Sequence, residues 1–428
     1  MLFNQTLTYI SLFSGAGVGC YGFLEEGFEC IATNETLEKR LNIQRINNKC
    51  KFDEGYICGD IKELEIKEKI LKRIEFYSKN FGNDRVDLVV ATLPCQGMSV
   101  ANHKKKNDEI KRNSLVIESV DLIKQIKPRF FILENVPSFY KTGCIDKNDN
   151  LLEIGTMIEQ NLSGDYMLYD EVINFKNFGA NSSRTRTLVI GVCKEFKDFT
   201  SALEFFPDFK QEKTLKEVIG SLKPLTWGEY DSTDFYHSFR TYPKHMQEWI
   251  KDLKEGQSAF ENVQDAISDL AYLCSNEGAF ESDYLNPIQS SYQALMRKNS
   301  PKLYNHQATN HSQAALEKLK LINKEQGKEC LPKNLHGKQQ FKSTWGRLNW
   351  NKISPTIDTR FDTPSNGTNS HPELHRSITP REAARIQSFS DNYIFYGNKT
   401  SVCKQIGNAV PPLLALALGK AILKNLRK

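Results

Sequence analysis

The stretch Val86-Asp87-Leu88-Val89-Val90-Ala91-Thr92-Leu93-Pro94-Cys95-Gln96 limits what this chain can fold into more than any other. It is a run of β-branched and apolar residues, too short for a helix, that halts at a proline and then presents a cysteine. Continuous apolar sequence followed by a turn is the pattern of a parallel strand buried on both faces. In open α/β sheets ligands lie beyond the carboxyl ends of the strands, which puts Cys95 where a ligand would bind. A single cysteine after a strand is more often packed under a loop. The choice between these readings rests on what the other strand ends carry.

Thr8-Tyr9-Ile10-Ser11-Leu12-Phe13 reads as a strand, Ser14-Gly15-Ala16-Gly17-Val18-Gly19 as a glycine-rich turn, and Tyr21, Phe23 and Leu24 as the opening of a helix. Glycines in such a turn let backbone N–H groups approach a nucleotide. The dinucleotide fingerprint Gly-x-Gly-x-x-Gly is not met, because its third glycine place is Cys20. A second strand, Cys30 to Asn34, ends at Glu35, which is placed either to accept from a ribose diol or to face solvent. Gly59-Asp60-Ile61 follows a third strand and offers an acceptor and an apolar residue, as an adenine edge requires.

Helices are expected over 62–79 and 114–126, and between Cys95 and the second of them the sequence is polar and basic. The strand Phe130-Phe131-Ile132-Leu133 then ends at Glu134-Asn135-Val136, so two parallel strands deliver Cys95 and Glu134 to one rim. A carboxylate there is either a buried ion-pair member or a group serving a substrate, the second being commoner at a strand end. Tyr166 to Phe175 and Thr187 to Val192 read as a β-hairpin. Arg184 and Arg186, at i and i+2 on a strand, would face one way and suit a phosphate or a base edge.

From about Glu195 to Trp350 the α/β rhythm is lost, and only 313–325 reads clearly as a helix. Tyr292, Trp345 and Trp350 are assigned to core packing ahead of stacking on a ligand. Pattern returns at Thr379-Pro380-Arg381-Glu382, a capping box with proline at the first helical position. Gln405-Ile406-Gly407-Asn408-Ala409-Val410 then leads into an apolar helix ending near Lys424.

The 428 residues suffice for two or three domains. No uncharged apolar stretch reaches the ~20 residues of a membrane span, and the amino terminus lacks a signal-peptide pattern, so a cytoplasmic protein with no membrane partner is expected. The ten cysteines form no Cys-x-x-Cys pair, and His306/His311 and His371/His375 lack convincing ligand spacing, so neither a metal nor a disulfide framework is expected. Net charge is +5, but residues 301–350 hold nine Lys/Arg against three Asp/Glu. Such runs usually form a solvated face; a second one directly after Cys95 also fits a polyanion.

Taken in order, these pieces resemble the DNA (cytosine-5) methyltransferase family over 8–192 and about 345–424. The resemblance is carried by Phe13-Ser14-Gly15-Ala16-Gly17, Pro94-Cys95-Gln96, Glu134-Asn135-Val136, Arg184-Thr185-Arg186, the Arg381–Phe389 segment and Gln405 to Val410. Two departures stand out: Asn181 and Ser182 occupy the family's proline and glutamine places, and Thr36 replaces an aromatic after Glu35.

The resemblance implies a Rossmann-like, S-adenosylmethionine-dependent α/β domain over 1–195, completed by about 395–428. A smaller, irregular target-recognition domain would span 196–394. It implies that Cys95 adds to C6 of a cytosine flipped out of double-stranded DNA, with Glu134 serving N3 and Arg184 and Arg186 serving the base or Cys95. Phe13, Ser14, Gly15, Ala16, Gly17, Glu35, Asp60, Ile61, Pro94, Leu115, Asn408 and Val410 would line the cofactor site. A monomer paired with a restriction endonuclease is expected. The rivals are a tRNA cytosine-5 methyltransferase, whose Cys-Phe-Thr tripeptide is missing here, and a catalytically dead DNA-binding partner, which an intact Cys95, Glu134 and Arg184/Arg186 set speaks against.

Overall fold

A computed structural model describes residues 6–94, 113, 115–196, 202–205, 262–324, 326–336 and 343–426. Two compact units emerge. The first comprises Met1–Asn174, Thr185–Pro207 and Ala409–Lys428, and the second Phe175–Arg184 and Asp208–Asn408.

The first unit is built on a seven-stranded sheet. Its strands are β1 (Thr8–Leu12), β2 (Glu29–Glu35), β3 (Tyr56–Cys58), β4 (Leu88–Thr92), β5 (Phe130–Asn135), β8 (Tyr166–Asn174) and β9 (Thr185–Cys193). A separate small hairpin, β6 (Gly143–Ile145) and β7 (Leu151–Glu153), follows β5 in the chain. The order across the sheet is β3-β2-β1-β4-β5-β9-β8. The first five are mutually parallel, and β9 is antiparallel to both β5 and β8. This is the doubly wound, Rossmann-like arrangement, with its order reversing between β1 and β4.

The central strands are apolar throughout because both faces are covered: all of β1 and β5 is buried, whereas the edge strand β8 alternates. Covering helices include α1 (Tyr21–Glu25), α2 (Glu38–Ile46), α3 (Leu64–Phe81), α4 (Leu115–Ile126) and α5 (Ile154–Leu162). The last helix of the chain, Pro412–Leu426, packs on α1. Gly22 makes that contact possible: a Cβ there would lie 2.1 Å from the Pro412 carbonyl oxygen and 2.4 Å from the Leu416 nitrogen. The segment Lys399–Leu426 is long and apolar enough to cross a membrane, yet it breaks into two helices and 72% of its apolar window is buried, as in a core helix.

The described part of the second unit is made of short elements. It contains α6 (Val263–Ile267), β10 (Gly278–Ser282), α7 (Ser291–Arg297), β11 (Leu303–Gln307), α8 (Gln313–Leu321), α9 (Pro380–Ile386) and α10 (Lys399–Gly407), with β10 and β11 antiparallel. The expected helix over 313–325 stops at Leu321. The capping box forms as read, with Thr379 accepting from the Glu382 amide and Glu382 accepting from the Thr379 amide. Tyr292 and Trp345 are buried, as core packing requires.

The histidines paired in the sequence are used as hydrogen-bonding core groups. His371 Nδ1 accepts from the Glu373 and Leu374 amides at 3.2 and 3.1 Å. His311 Nε2 accepts from the Ser377 amide at 3.0 Å. Burial pushes both imidazoles down to about 4. Protonation would break these bonds, so the folded unit binds fewer protons than the unfolded chain between about pH 4 and the free-histidine value near 6.5. Stability from His371 is therefore complete above pH 6.5 and declines as pH falls toward 4, by about 1.4 kcal/mol per pH unit. Thermal melts at pH 7 and pH 5 should show this loss. In His371→Asn, whose Oδ1 takes the place of Nδ1, the slope should flatten; an unchanged slope would remove His371 as its source.

Candidate active site

The carboxyl ends of the five parallel strands form one rim of the first unit, and Phe13 to Gly17, Glu35, Asp60, Ile61, Pro94 and Glu134 lie at or just beyond those ends. After β1 the chain turns sharply: Phe13 has φ 53°, Gly15 φ 55° and Gly17 φ 84°. A side chain is strained at the glycine positions, and a Cβ on Gly17 would also meet Gln44 Cγ at 2.6 Å. Around Gly15 the Cβ direction is open. The turn is tied to its neighbours on both sides. Ser14 N donates to the Asn34 carbonyl at 3.0 Å, and Thr92 Oγ1 at the end of β4 donates to the Phe13 carbonyl at 3.0 Å.

Glu35, at the end of β2, is buried and accepts from Gly15 N at 2.9 Å through Oε2. Its Oε1 takes Thr36 Oγ1, Leu37 N and Arg40 Nη1 at 3.0, 3.2 and 3.1 Å. Thr36, which stands where an aromatic was expected, thus helps to fix the carboxylate. Beyond β3, Gly59 N donates to the Glu35 carbonyl at 3.1 Å, and half-buried Asp60 accepts from Lys62 N at 3.0 Å. Ile61 is packed into the core and offers a ligand little surface.

Pro94 is exposed just past β4, while Leu115 is half-buried at the start of α4. Cys95 lies outside the described residues, as do Gln96 and the basic run at 104–106. The register pairs Thr92 with Glu134, so β4 and β5 end together. Asn135 joins them: its Nδ2 donates to the Leu93 carbonyl at 3.2 Å while its Oδ1 accepts from Val136 N at 2.8 Å. Glu134 is nearly buried, with Arg186 Nε 3.1 Å from its Oε1. Val410 packs closely on Gly19, between the β1 turn and the end of β4: a Cβ at position 19 would be a tight 3.2 Å from Val410 Cβ and 3.6 Å from Thr92 Cγ2.

Arg184 and Arg186 belong to different units. Strand β9 begins at Thr185, and the Phe175 amide donates to the Arg184 carbonyl at 2.9 Å just before it. Arg184 is in the second unit, where its Nη1 donates to the Gly407 carbonyl, next to exposed Asn408. The residues in the proline and glutamine places also act within that unit: Asn181 bonds to Asn262 and Ser354, and Ser182 bridges Ser354.

Two residues of the rim were not legible. Gln44 of α2 is fully buried, accepting from Thr33 Oγ1 at 2.7 Å and donating to Ser14 Oγ and the Gly15 carbonyl at 2.8 and 2.7 Å. Lys49 is buried as well and donates to Ser11 Oγ and Thr33 Oγ1 at 2.9 and 3.1 Å. Together they fasten the β1 turn to β2.

Comparison with known proteins agrees with this architecture. A type II methyltransferase of Desulfomicrobium norvegicum, M.DdeI, is 28% identical, over 97% of this chain and 88% of its own. Another, M1.HphI of Haemophilus parahaemolyticus, is 26% identical over 99% and 88%. Among solved structures, a prophage-encoded DNA modification methyltransferase of E. coli shares the fold with a TM-score of 0.64 at 21% identity, covering 99% of this chain and all of that one. The Dnmt2 methyltransferase of S. pombe shares it with a TM-score of 0.51 at 12% identity, over 99% and 100%. The family described as C-5 cytosine-specific DNA methylase matches residues 7–424, nearly the whole length, and the chain belongs to that family.

Proposed function

We propose that this DNA cytosine-5 methyltransferase takes its methyl group from S-adenosylmethionine and works through covalent addition of Cys95 to C6 of a flipped-out cytosine. The observation that carries the reading is the shared rim: the glycine turn, Glu35, Asp60, Pro94 and Glu134 at the ends of five adjacent parallel strands. The residues present fit the donor. Glu35 would accept from the ribose hydroxyls, Asp60 from the adenine amino group, and the open side of Gly15 leaves space for the donor against the turn. S-adenosylmethionine, when bound, supplies an electrophilic methyl group.

Each residue then has a task. Cytosine C5 is a poor nucleophile until something adds across the 5,6 bond. The Cys95 thiolate forms a bond to C6, and the displaced electron pair builds negative charge on the ring. Glu134, oriented by Arg186, relieves that charge by hydrogen bonding at N3. Once C5 is methylated, loss of its proton re-forms the 5,6 bond and expels the Cys95 thiolate. C6 cannot be reached within a duplex, so the base must leave the stack. Arg184, anchored at Gly407, is assigned to positioning within the second unit. Residues 196–394 are assigned to recognition of the target site, reading base edges in the major groove.

Made by a cytoplasmic monomer, the modification would protect host DNA against a paired restriction endonuclease. Bisulfite sequencing of plasmid DNA from expressing cells tests this: one recurring cytosine context should resist conversion, and its absence from an active preparation would overturn the assignment. Glu35→Ala tests the donor site. Losing charge-assisted hydrogen bonds worth about 1.5–3 kcal/mol should weaken S-adenosylmethionine about ten- to hundredfold by calorimetry, and DNA binding much less. Unchanged donor affinity would remove Glu35 from the site.

A further inference from the structure

Gln44 lies on α2, away from the strand ends themselves, and is fully buried against the turn that follows β1. Its side chain runs so close to the turn that a Cβ on Gly17 would meet Gln44 Cγ at 2.6 Å and Gln44 Cδ at 3.0 Å. The amide is engaged on both sides. Nε2 donates to Ser14 Oγ at 2.8 Å and to the Gly15 carbonyl at 2.7 Å, and Oε1 accepts from Thr33 Oγ1 at 2.7 Å.

The direction of these bonds is set from both ends. An ammonium donates and never accepts. Thr33 Oγ1, which accepts from Lys49 Nζ at 3.1 Å, therefore turns its own hydrogen to Gln44 Oε1. A carbonyl only accepts, so the Gly15 oxygen requires the NH2 side of the same amide. Ser14 Oγ, having accepted from Gln44, donates to the Asn34 carbonyl at 3.1 Å. Gly15 is thus gripped through both of its peptide groups, its N–H by Glu35 Oε2 at 2.9 Å and its carbonyl by Gln44. Each peptide is planar, so the two grips fix the rotation between them and hold Gly15 at φ 55°.

We propose that Gln44 is a positioning residue for the methyl donor, acting through Ser14 and Gly15 and touching no reactant itself. This rests on the cofactor reading proposed above. Gly15 has the open side that would face the donor, and it shares Glu35 with the donor's ribose. A displaced Gly15 therefore disturbs both the surface beside the donor and the carboxylate that accepts from it. Without Gln44 the turn is ordered only as the donor binds, which weakens binding. The methyl-transfer step, taken from the bound state, is unaffected, so KM for the donor rises while kcat holds.

The full chain and two variants should be compared by calorimetry with S-adenosylmethionine, by donor-dependent kinetics on saturating plasmid DNA, and by thermal melting. Gln44→Met keeps the stem that packs on Gly17 but cannot donate, and Kd and KM for the donor should rise about tenfold, as for one lost hydrogen bond, with kcat within about twofold. Gln44→Glu still accepts from Thr33 but sets an oxygen against the Gly15 carbonyl, so donor KM should rise at least as far. Its charge lies one hydroxyl from Lys49, which offsets the cost of burying it, and the melting temperature should hold better than donor affinity does. If Gln44→Met does not fold, Gln44→Glu decides alone. Donor Kd and KM within about twofold of the unaltered chain, or a fall in melting temperature and kcat with KM unchanged, would reduce Gln44 to a packing residue and overturn the proposal. Failure of the unaltered chain to bind S-adenosylmethionine would instead overturn the cofactor reading, and this proposal with it.

Discussion

Methyl transfer to DNA by Cys95→Ser should fall more than about a thousandfold, while donor and DNA binding persist. The substitution keeps the size of the side chain and removes the group that can be a nucleophilic anion near neutral pH. Without addition at C6, C5 stays unreactive, and neither Glu134 nor a bound donor can compensate. Tritiated methyl incorporation measures the loss; activity within about tenfold of the unaltered enzyme would exclude covalent addition by this residue. DNA carrying 5-fluorocytosine at the target gives a complementary result. No C5 proton can leave, so the thioether cannot be expelled, and a denaturation-resistant adduct should accumulate in the presence of S-adenosylmethionine. Cys95→Ser should form none.

Arg385→Met should cost the second unit about 3–5 kcal/mol, a large share of the 5–15 kcal/mol typical of a folded domain. Arg385 is wholly buried. Its Nε and Nη2 bond to the two oxygens of Asp391 at 2.9 and 2.6 Å, and Nη1 bonds to Asp269 and to the Ala266 carbonyl. Burial would raise Asp391, yet Arg385, and after it Arg381, hold its carboxyl below the ordinary range. Asp269 would keep Arg297, and Asp391 would keep Tyr284 at 2.8 Å. What remains after the substitution is nevertheless a pair of buried carboxylates stripped of their central cation. Urea denaturation should show the loss; a change below about 1 kcal/mol would mean that the network contributes no net stability.

The same residues show what the sequence could and could not reveal. Parallel strands are apolar along their whole length, so β1, β2, β4 and β5 were readable, and the ends of β2 and β5 located Glu35 and Glu134. The capping box at Thr379 was readable because its signal is local. Arg376, Arg381 and Arg385 carried the opposite signal. Three arginines in ten residues resemble a solvated face, but all three are completely buried, and Arg376 is satisfied by both oxygens of Glu382 at 2.7 Å. Burial of such groups depends on acceptors that arrive from distant segments, such as Asp269 and the Tyr304 carbonyl, which no local pattern encodes. Gln44 and Lys49 were hidden for the same reason, since their partners come from β1, β2 and the turn. The pairing of β10 with β11 was missed because Gly278–Ser282 is largely exposed and lacks strand-like alternation.

The close seat of the final helix on Gly22 has a consequence for how the protein is made. Helix α1 ends at Glu25 and its partner begins only at Pro412, so α1 emerges from the ribosome long before the helix that covers it. Strand β9 completes the sheet at Cys193, roughly 220 residues before that helix begins. At about 5–20 residues per second, the nascent sheet waits roughly 10–45 s with Val18, Phe23 and the backbone of Gly22 uncovered. Chain termination anywhere in the second unit would leave that groove permanently open, a sticky intermediate for chaperones to hold or proteases to clear. Translation through Leu426 is thus a condition of burying the first helix, and the cell receives no half-made methyltransferase with a closed core.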